Sequence, residues 1–174
     1  SVATRLLHAG VLLAFLVLAL YFPYWWFGVV PFSVDNDISQ ATIDELLEGT
    51  DLPDYYAEAL PAASETELAA EREAFTWCRF CHTLAQGEEN KVGPNLHRIY
   101  GTPAAVNPTF PYSEAFIEAR ENGLIWTPEN MAAFVADPAG FLPHNRMRYP
   151  PMIGYEKSAE RDRLIMNYML RMTR

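Results

Sequence analysis

The run Cys78-Arg79-Phe80-Cys81-His82 constrains this chain more than any other stretch. Two thiols separated by two residues and followed at once by an imidazole form the attachment spacing of a c-type haem. The thiols add across the two vinyl groups of the porphyrin, and the adjacent imidazole is held beneath the iron as its proximal ligand. These are the chain's 2 cysteines, so none is left for another disulfide. The competing readings explain less. A structural zinc site needs a second cysteine or histidine pair at zinc spacing, which the sequence lacks. A thioredoxin-like redox pair needs strands and helices alternating around it. The motif therefore predicts one covalent haem c, attached at Cys78 and Cys81 and ligated through His82.

Hydrophobicity is spread unevenly, and the 174 residues divide into three zones: an anchor over 1–30, an acidic linker or docking segment over 31–64 and a haem domain over 65–174. From Leu6 to Val30 no side chain is charged. About 20 apolar residues rising ~1.5 Å each cross a hydrocarbon core of ~30 Å, so a single transmembrane helix in the lipid bilayer is expected. Tyr21, Phe22, Tyr24, Trp25, Trp26 and Phe27 have the composition of an interfacial belt, and Pro23 is expected to end or kink the helix there. A secretory signal peptide fits less well, because no small-x-small cleavage site follows and the run is too long. Arg5 precedes the span, while Asp35 and Asp37 are the first charges after it. That asymmetry puts the amino terminus in the cytoplasm and the remainder on the far side, the periplasm of a bacterium.

The second zone is acidic. From Pro31 to Ala70 the sequence holds Asp35, Asp37, Asp44, Glu45, Glu48, Asp51, Asp54, Glu58, Glu65 and Glu67 but no lysine or arginine, so the net charge of −9 belongs to this stretch. Ser39 to Leu47 is expected to form a short helix, with Thr42 as its amino-terminal cap and Glu45 three residues on. As a coil of ~40 residues the segment would span roughly 35 Å on average. Leu46, Leu47, Leu52, Tyr55 and Tyr56 exceed the apolar content of a pure spacer, which leaves docking onto a larger membrane complex open as well.

The third zone reads as a small all-α domain. Leu68, Glu71, Arg72, Phe75 and several alanines predict a helix from about Glu65 into the haem motif, with the thiols at its end. A turn-rich loop follows His82 and closes on Gly93-Pro94. Thr127 and Pro128 mark the start of a helix to Ala136, as cap and first helical residue. A last helix over Ser158–Met172 places Leu164, Ile165, Tyr168 and Met169 on one face. An iron held by one histidine has a sixth position to fill or leave open, and Met147, Met152 and His144 are the nearby candidates.

Cys78 to Arg174 resembles a class I cytochrome c of the mitochondrial and α-proteobacterial type. The resemblance rests on Cys-x-x-Cys-His-Thr, Gly93-Pro94-Asn95-Leu96-His97, Phe110-Pro111-Tyr112-Ser113, Trp126, Asp137-Pro138, Phe141-Leu142-Pro143 and Met147, with a short insertion between Tyr112 and Trp126. With its anchor, the whole is similar to the membrane-anchored cytochromes c of respiratory and photosynthetic bacteria. The resemblance implies that the Pro94 carbonyl accepts a hydrogen bond from His82, that Tyr112 and Trp126 hydrogen-bond a haem propionate, and that Met147 is the axial thioether. The sequence departs from the family pattern at Thr102, where an arginine often reaches a propionate, at Phe134, where a tyrosine usually approaches the methionine, and at Phe116, usually polar.

Filling both axial positions leaves no coordination site for a small-molecule substrate, so the expectation is an electron carrier and not an enzyme, without a nucleic-acid partner. Its expected partners are membrane redox complexes, such as a cytochrome bc1 complex as donor and a terminal oxidase or photosynthetic reaction centre as acceptor. The alternative is a permanent haem subunit of one such complex or of a dehydrogenase. A ligand-binding or peroxidatic haem protein would require a labile or absent methionine ligand.

Overall fold

Eight helices account for the regular structure in a computed structural model that describes residues 2–27 (backbone only for 23–27), 38–57, 59–149 and 158–174. They are α1 (Val2–Phe27), α2 (Gln40–Leu47), α3 (Glu65–Ala74), α4 (Cys78–Cys81), α5 (Glu114–Glu121), α6 (Pro128–Ala136), α7 (Pro138–Phe141) and α8 (Ala159–Met172). No named strand occurs among the described residues.

Helix α1 is exposed from Val2 to Phe22, a stretch of 21 residues long and apolar enough to cross a membrane. Pro23 does not end it. The helix runs on to Phe27, because an internal proline removes one hydrogen bond to the preceding turn without cancelling those around it. The side chains of Tyr24, Trp25, Trp26 and Phe27 lie outside the described residues. Helix α2 forms where expected, but its cap is Ser39, whose hydroxyl accepts from the Thr42 amide at 3.1 Å. Ser39 has the extended backbone a cap requires, whereas Thr42 already lies within the first turn.

Helix α3 starts with a reciprocal capping box between Ser64 and Glu67. It stops at Ala74 instead of continuing through the haem motif, and Phe75 closes it. The thiols sit on the separate single turn α4. The core is built where α3 packs on α8 and α6 packs on both α7 and α8. Phe75, Ile165 and Met169 are fully buried there, and the Phe75 and Tyr168 rings lie 4.9 Å apart. Across this junction Glu71, only 2% exposed, accepts from the Arg171 guanidinium at 3.0 Å. A buried carboxylate needs such a partner, since desolvation unpaired costs several kcal/mol.

Contacts cross the boundary expected between 64 and 65. Tyr56 is buried; its hydroxyl lies 3.0 Å from that of Thr173, which itself donates to the Met169 carbonyl, and accepts from the Tyr100 amide at 3.2 Å. Arg174 reaches the Tyr56 carbonyl at 2.7 Å, and Arg171 reaches that of Pro61 at 2.8 Å. The Arg98 guanidinium lies over the Tyr56 ring, 4.6 Å from its centre. The acidic stretch thus straps part of itself to the end of α8.

Candidate haem-binding site

His82 closes the α4 turn in extended conformation, its amide bonded to the Cys78 carbonyl at 2.9 Å. Its Nδ1 lies 2.8 Å from the Pro94 carbonyl. A carbonyl only accepts, so Nδ1 carries the proton and Nε2 keeps the lone pair a metal needs. Burial holds the imidazole below its ordinary pKa and therefore neutral, with the Pro94 bond acting in the opposite sense. Gly93 packs flat on this ring: a Cβ there would overlap it, approaching Nδ1 to 2.8 Å.

The loop carrying Gly93 and Pro94 is fastened several times over. The Gly93 amide donates to Cys81 at 2.8 Å and the Leu96 amide to Thr83 at 2.9 Å. The Asn95 side chain donates to Thr83 Oγ1, Ala85 O and Glu88 O, and accepts from the His97 amide at 2.7 Å. Asn95 appeared in the sequence only as part of a matched run, but its role as a loop clamp emerges from geometry alone.

Cys78 and Cys81 are unpaired. Burial pushes the Cys78 thiol up to about 12 and raises that of Cys81, the reverse of the low pKa that drives thioredoxin-like exchange. No group of three or more histidine, cysteine, aspartate or glutamate residues suited to a metal ion occurs among the described residues.

Cys78, Cys81, His82, Pro94, Tyr112, Trp126 and Met147 all line one cavity of about 570 Å³. That size is within the range of a cofactor site. Trp126 is set there by backbone pairing: its amide donates to Thr102 and its carbonyl accepts from Gly101, both at 2.8 Å, beside a bridge joining Pro103 and Ile125. Phe116 and Phe134 crowd around Trp126, with the two phenyl rings edge to face at 75°. Burial raises the Tyr112 hydroxyl pKa, keeping it protonated as a donor. Thr102 turns its own hydroxyl to the Ile99 carbonyl at 2.7 Å.

Ser113 occupies the cap position of α5 without capping it. Its hydroxyl is buried, lines the cavity and has no hydrogen-bond partner among the described residues. An orphaned donor beside Tyr112 and Trp126 fits an acidic group of a cofactor, such as a propionate. Sequence reasoning matched Ser113 within a motif but assigned it no task.

Met147 is held by Asn145. The Asn145 side chain is buried, donates to the Pro138 and Leu142 carbonyls at 2.7 Å each, and accepts from the Met147 amide at 2.8 Å. One asparagine thus joins α7 to the residue that enters the cavity. Nothing in the sequence reading singled it out. His144 is exposed, has a backbone φ of 66° and does not line the cavity, whereas Met152 lies outside the described residues.

No family model matches the chain. Cytochrome c2 from Agrobacterium tumefaciens (strain II Chrys) is 38% identical over 101 residues, which are 58% of this chain and 88% of that protein. Cytochrome c2 from Rhodospirillum rubrum is 42% identical over 81 residues, 47% of this chain and 60% of its own length. The solved structure of cytochrome c2 from Rhodospirillum centenum superposes with a TM-score of 0.51 at 27% identity, covering 62% of this chain and 98% of that one.

Proposed function

Because the chain belongs to the class I cytochrome c family and carries one covalent haem c, we propose that it is a membrane-anchored carrier of single electrons between membrane redox complexes. The haem iron supplies the chemistry, a change of one electron between ferrous and ferric forms. Everything else falls to the protein's own side chains. Cys78 and Cys81 would fix the macrocycle at α4, and His82 would offer Nε2 to the iron while Pro94 keeps the ring from turning. Met147 would offer its thioether, a soft donor that favours the reduced iron and raises the potential relative to two histidines. Tyr112, Ser113 and Trp126 would take a propionate. The phenyl rings of Phe116 and Phe134 exclude water from the same space.

The observation that carries this reading is the junction of a neutral imidazole, oriented by the Pro94 carbonyl, with two free thiols and a methionine around one cavity. With His82 and Met147 both held by the iron, no coordination site would be left for a substrate, and the cofactor would supply outer-sphere exchange of electrons. The charge asymmetry around α1 supports a single-pass topology in a bacterial inner membrane, with the haem domain in the periplasm. Tethering would raise the local concentration near partner complexes to a millimolar order. The bonds of Tyr56 and Pro61 support a folded unit that begins near Asp54 rather than at Glu65.

A cytochrome bc1 complex as donor and a terminal oxidase or photosynthetic reaction centre as acceptor fit this position. The test is kinetic: the ferric full-length protein in detergent should be reduced by a quinol-driven cytochrome bc1 complex and should not bind carbon monoxide once reduced. Ready carbon monoxide binding would replace the carrier with a ligand-binding protein. A stoichiometric partner that co-purifies in mild detergent would make the chain a permanent subunit and not a shuttle.

A further inference from the structure

The acidic stretch reaches further into the folded domain than its bonds to the end of α8. Tyr55 and Tyr56 close on Tyr100, the centre of each ring lying 6.2 Å from that of Tyr100. The Tyr55 ring is half-buried and covers the next residue as well, since a Cβ built on Gly101 would meet it at 3.6 Å. The Tyr56 hydroxyl accepts from the Tyr100 amide. Segment 99–102 therefore has its outer cover from two tyrosines of the acidic stretch.

The inner side of the same segment backs the haem cavity. Ile99 lines the cavity itself. Gly101 and Thr102 hold Trp126 between them, one by donating its amide to the Trp126 carbonyl and the other by accepting from the Trp126 amide, both at 2.8 Å. The Tyr100 hydroxyl donates to Met166 Sδ at 3.2 Å and lies 3.8 Å from Met169 Sδ, and Met169 lines the cavity too. A thioether is a weak acceptor, so that hydroxyl keeps its place only while water is kept away from Tyr100, which is 4% exposed.

Loss of the cover would act on a bound haem in two ways that agree in sign. Water admitted behind Met169 raises the local dielectric and eases the extra positive charge of ferric iron. Slack in Trp126 weakens the donor offered to a propionate, which leaves more of that negative charge facing the iron. Both favour the oxidised form. We propose that Tyr55 and Tyr56 are positioning residues of the haem pocket, clamping segment 99–102 behind Trp126 and Met169 and so holding the reduction potential up. The stretch leading from the apolar helix is thus part of the pocket's wall and not only a tether. The inference rests on the electron-carrier reading, for which the potential is the property that matters.

The test is a redox titration of the haem-loaded full-length protein in detergent. Tyr55→Ala should lower the reduced-to-oxidised ratio about threefold at a fixed ambient potential, equivalent to about 30 mV for one electron, and Tyr55→Ala/Tyr56→Ala should lower it further. Tyr55→Phe keeps the ring on Gly101 and should titrate as wild type. Hydrogen exchange reads the route directly: the Gly101 and Trp126 amides should exchange faster in Tyr55→Ala than in wild type. Ser64→Ala controls for a merely weakened fold, because it breaks the capping box between Ser64 and Glu67 at the start of α3, and should keep the wild-type potential. If the double variant holds no haem, Tyr55→Ala alone decides. A wild-type or raised potential in Tyr55→Ala overturns the proposal and leaves the carrier reading intact. So does unchanged exchange at both amides, or a fall of equal size in Ser64→Ala or Tyr55→Phe. Carbon monoxide binding by the reduced wild type would overturn the carrier reading instead, and the titration would still decide the wall.

Discussion

The two loops that bring His82 and Met147 to the cavity are fastened in opposite ways. The loop from Thr83 to Leu96 has two backbone ties, three donated bonds from Asn95 and the flat contact of Gly93 on the imidazole. Among the described residues the Met147 loop is tied through the buried side chain of Asn145, whose backbone carbonyl also accepts from Arg148 at 3.3 Å. Among the described residues the histidine side is therefore tied at several separate residues, whereas the ties of the methionine side converge on Asn145. Redundant restraint tolerates loss of a bond, whereas a single clamp converts its loss into movement of the ligand. On this account, damage to the chain shows first as loss of the methionine and only later as loss of the histidine.

The largest effect is expected where redundancy cannot help. In Gly93→Ala the added methyl would collide with the His82 ring, so the imidazole must leave the Pro94 carbonyl. Expression should give little holoprotein, measured as Soret absorbance per chain. A normal yield would show that the histidine loop yields more easily than its bonds imply.

Asn145→Ala comes next. It removes the side-chain bonds to the Pro138 and Leu142 carbonyls, each of which keeps a backbone donor, and the acceptor of the Met147 amide, and should cost about 2 kcal/mol. Its signature is specific: the methionine-to-iron charge-transfer band should weaken and the reduced protein should begin to bind carbon monoxide. Asn95→Ala should be destabilising by about 1 kcal/mol in urea unfolding yet keep that band, because the Gly93 and Leu96 amide bonds persist. Equal loss of the band in both asparagine variants would erase the contrast between the loops. An effect of similar size, but further from the haem, belongs to Tyr56→Phe, which removes the hydroxyl shared by Thr173 and Tyr100. About 1 kcal/mol of stability should go with no change in the haem spectrum, and an unchanged unfolding midpoint would detach the strap from the folded unit.

What the sequence disclosed follows the range of the interactions involved. The attachment motif, the Thr127-Pro128 helix start and the final helix from Ser158 are local patterns, and they are found at those residues. Helices α5 and α7 went unread for different reasons: α5 buries only Ala119 and its cap residue makes no capping bond, while α7, though started by a capping Asp137 and Pro138, is a single turn too short to show a periodic pattern. The misplaced cap of α2 shows two hydroxyl residues competing for one role, with backbone conformation deciding between them. The strap was invisible for a different reason. Tyr56 meets its partners across 44 to 118 residues of chain, and a stretch of acids without bases gives no hint that Arg98, Arg171 and Arg174 are waiting elsewhere. Asn95 and Asn145 were hidden likewise, since an asparagine in a loop reads as a turn former until the carbonyls around it are placed.

The central claim is that His82 and Met147 hold the same iron, and the ferric absorption spectrum of the full-length protein, taken beside Met147→Ala, tests it most directly. A methionine-to-iron charge-transfer band present in wild type and gone in the variant is the predicted result. A wild type without that band, or a Met147→Ala protein that retains it, would contradict the account.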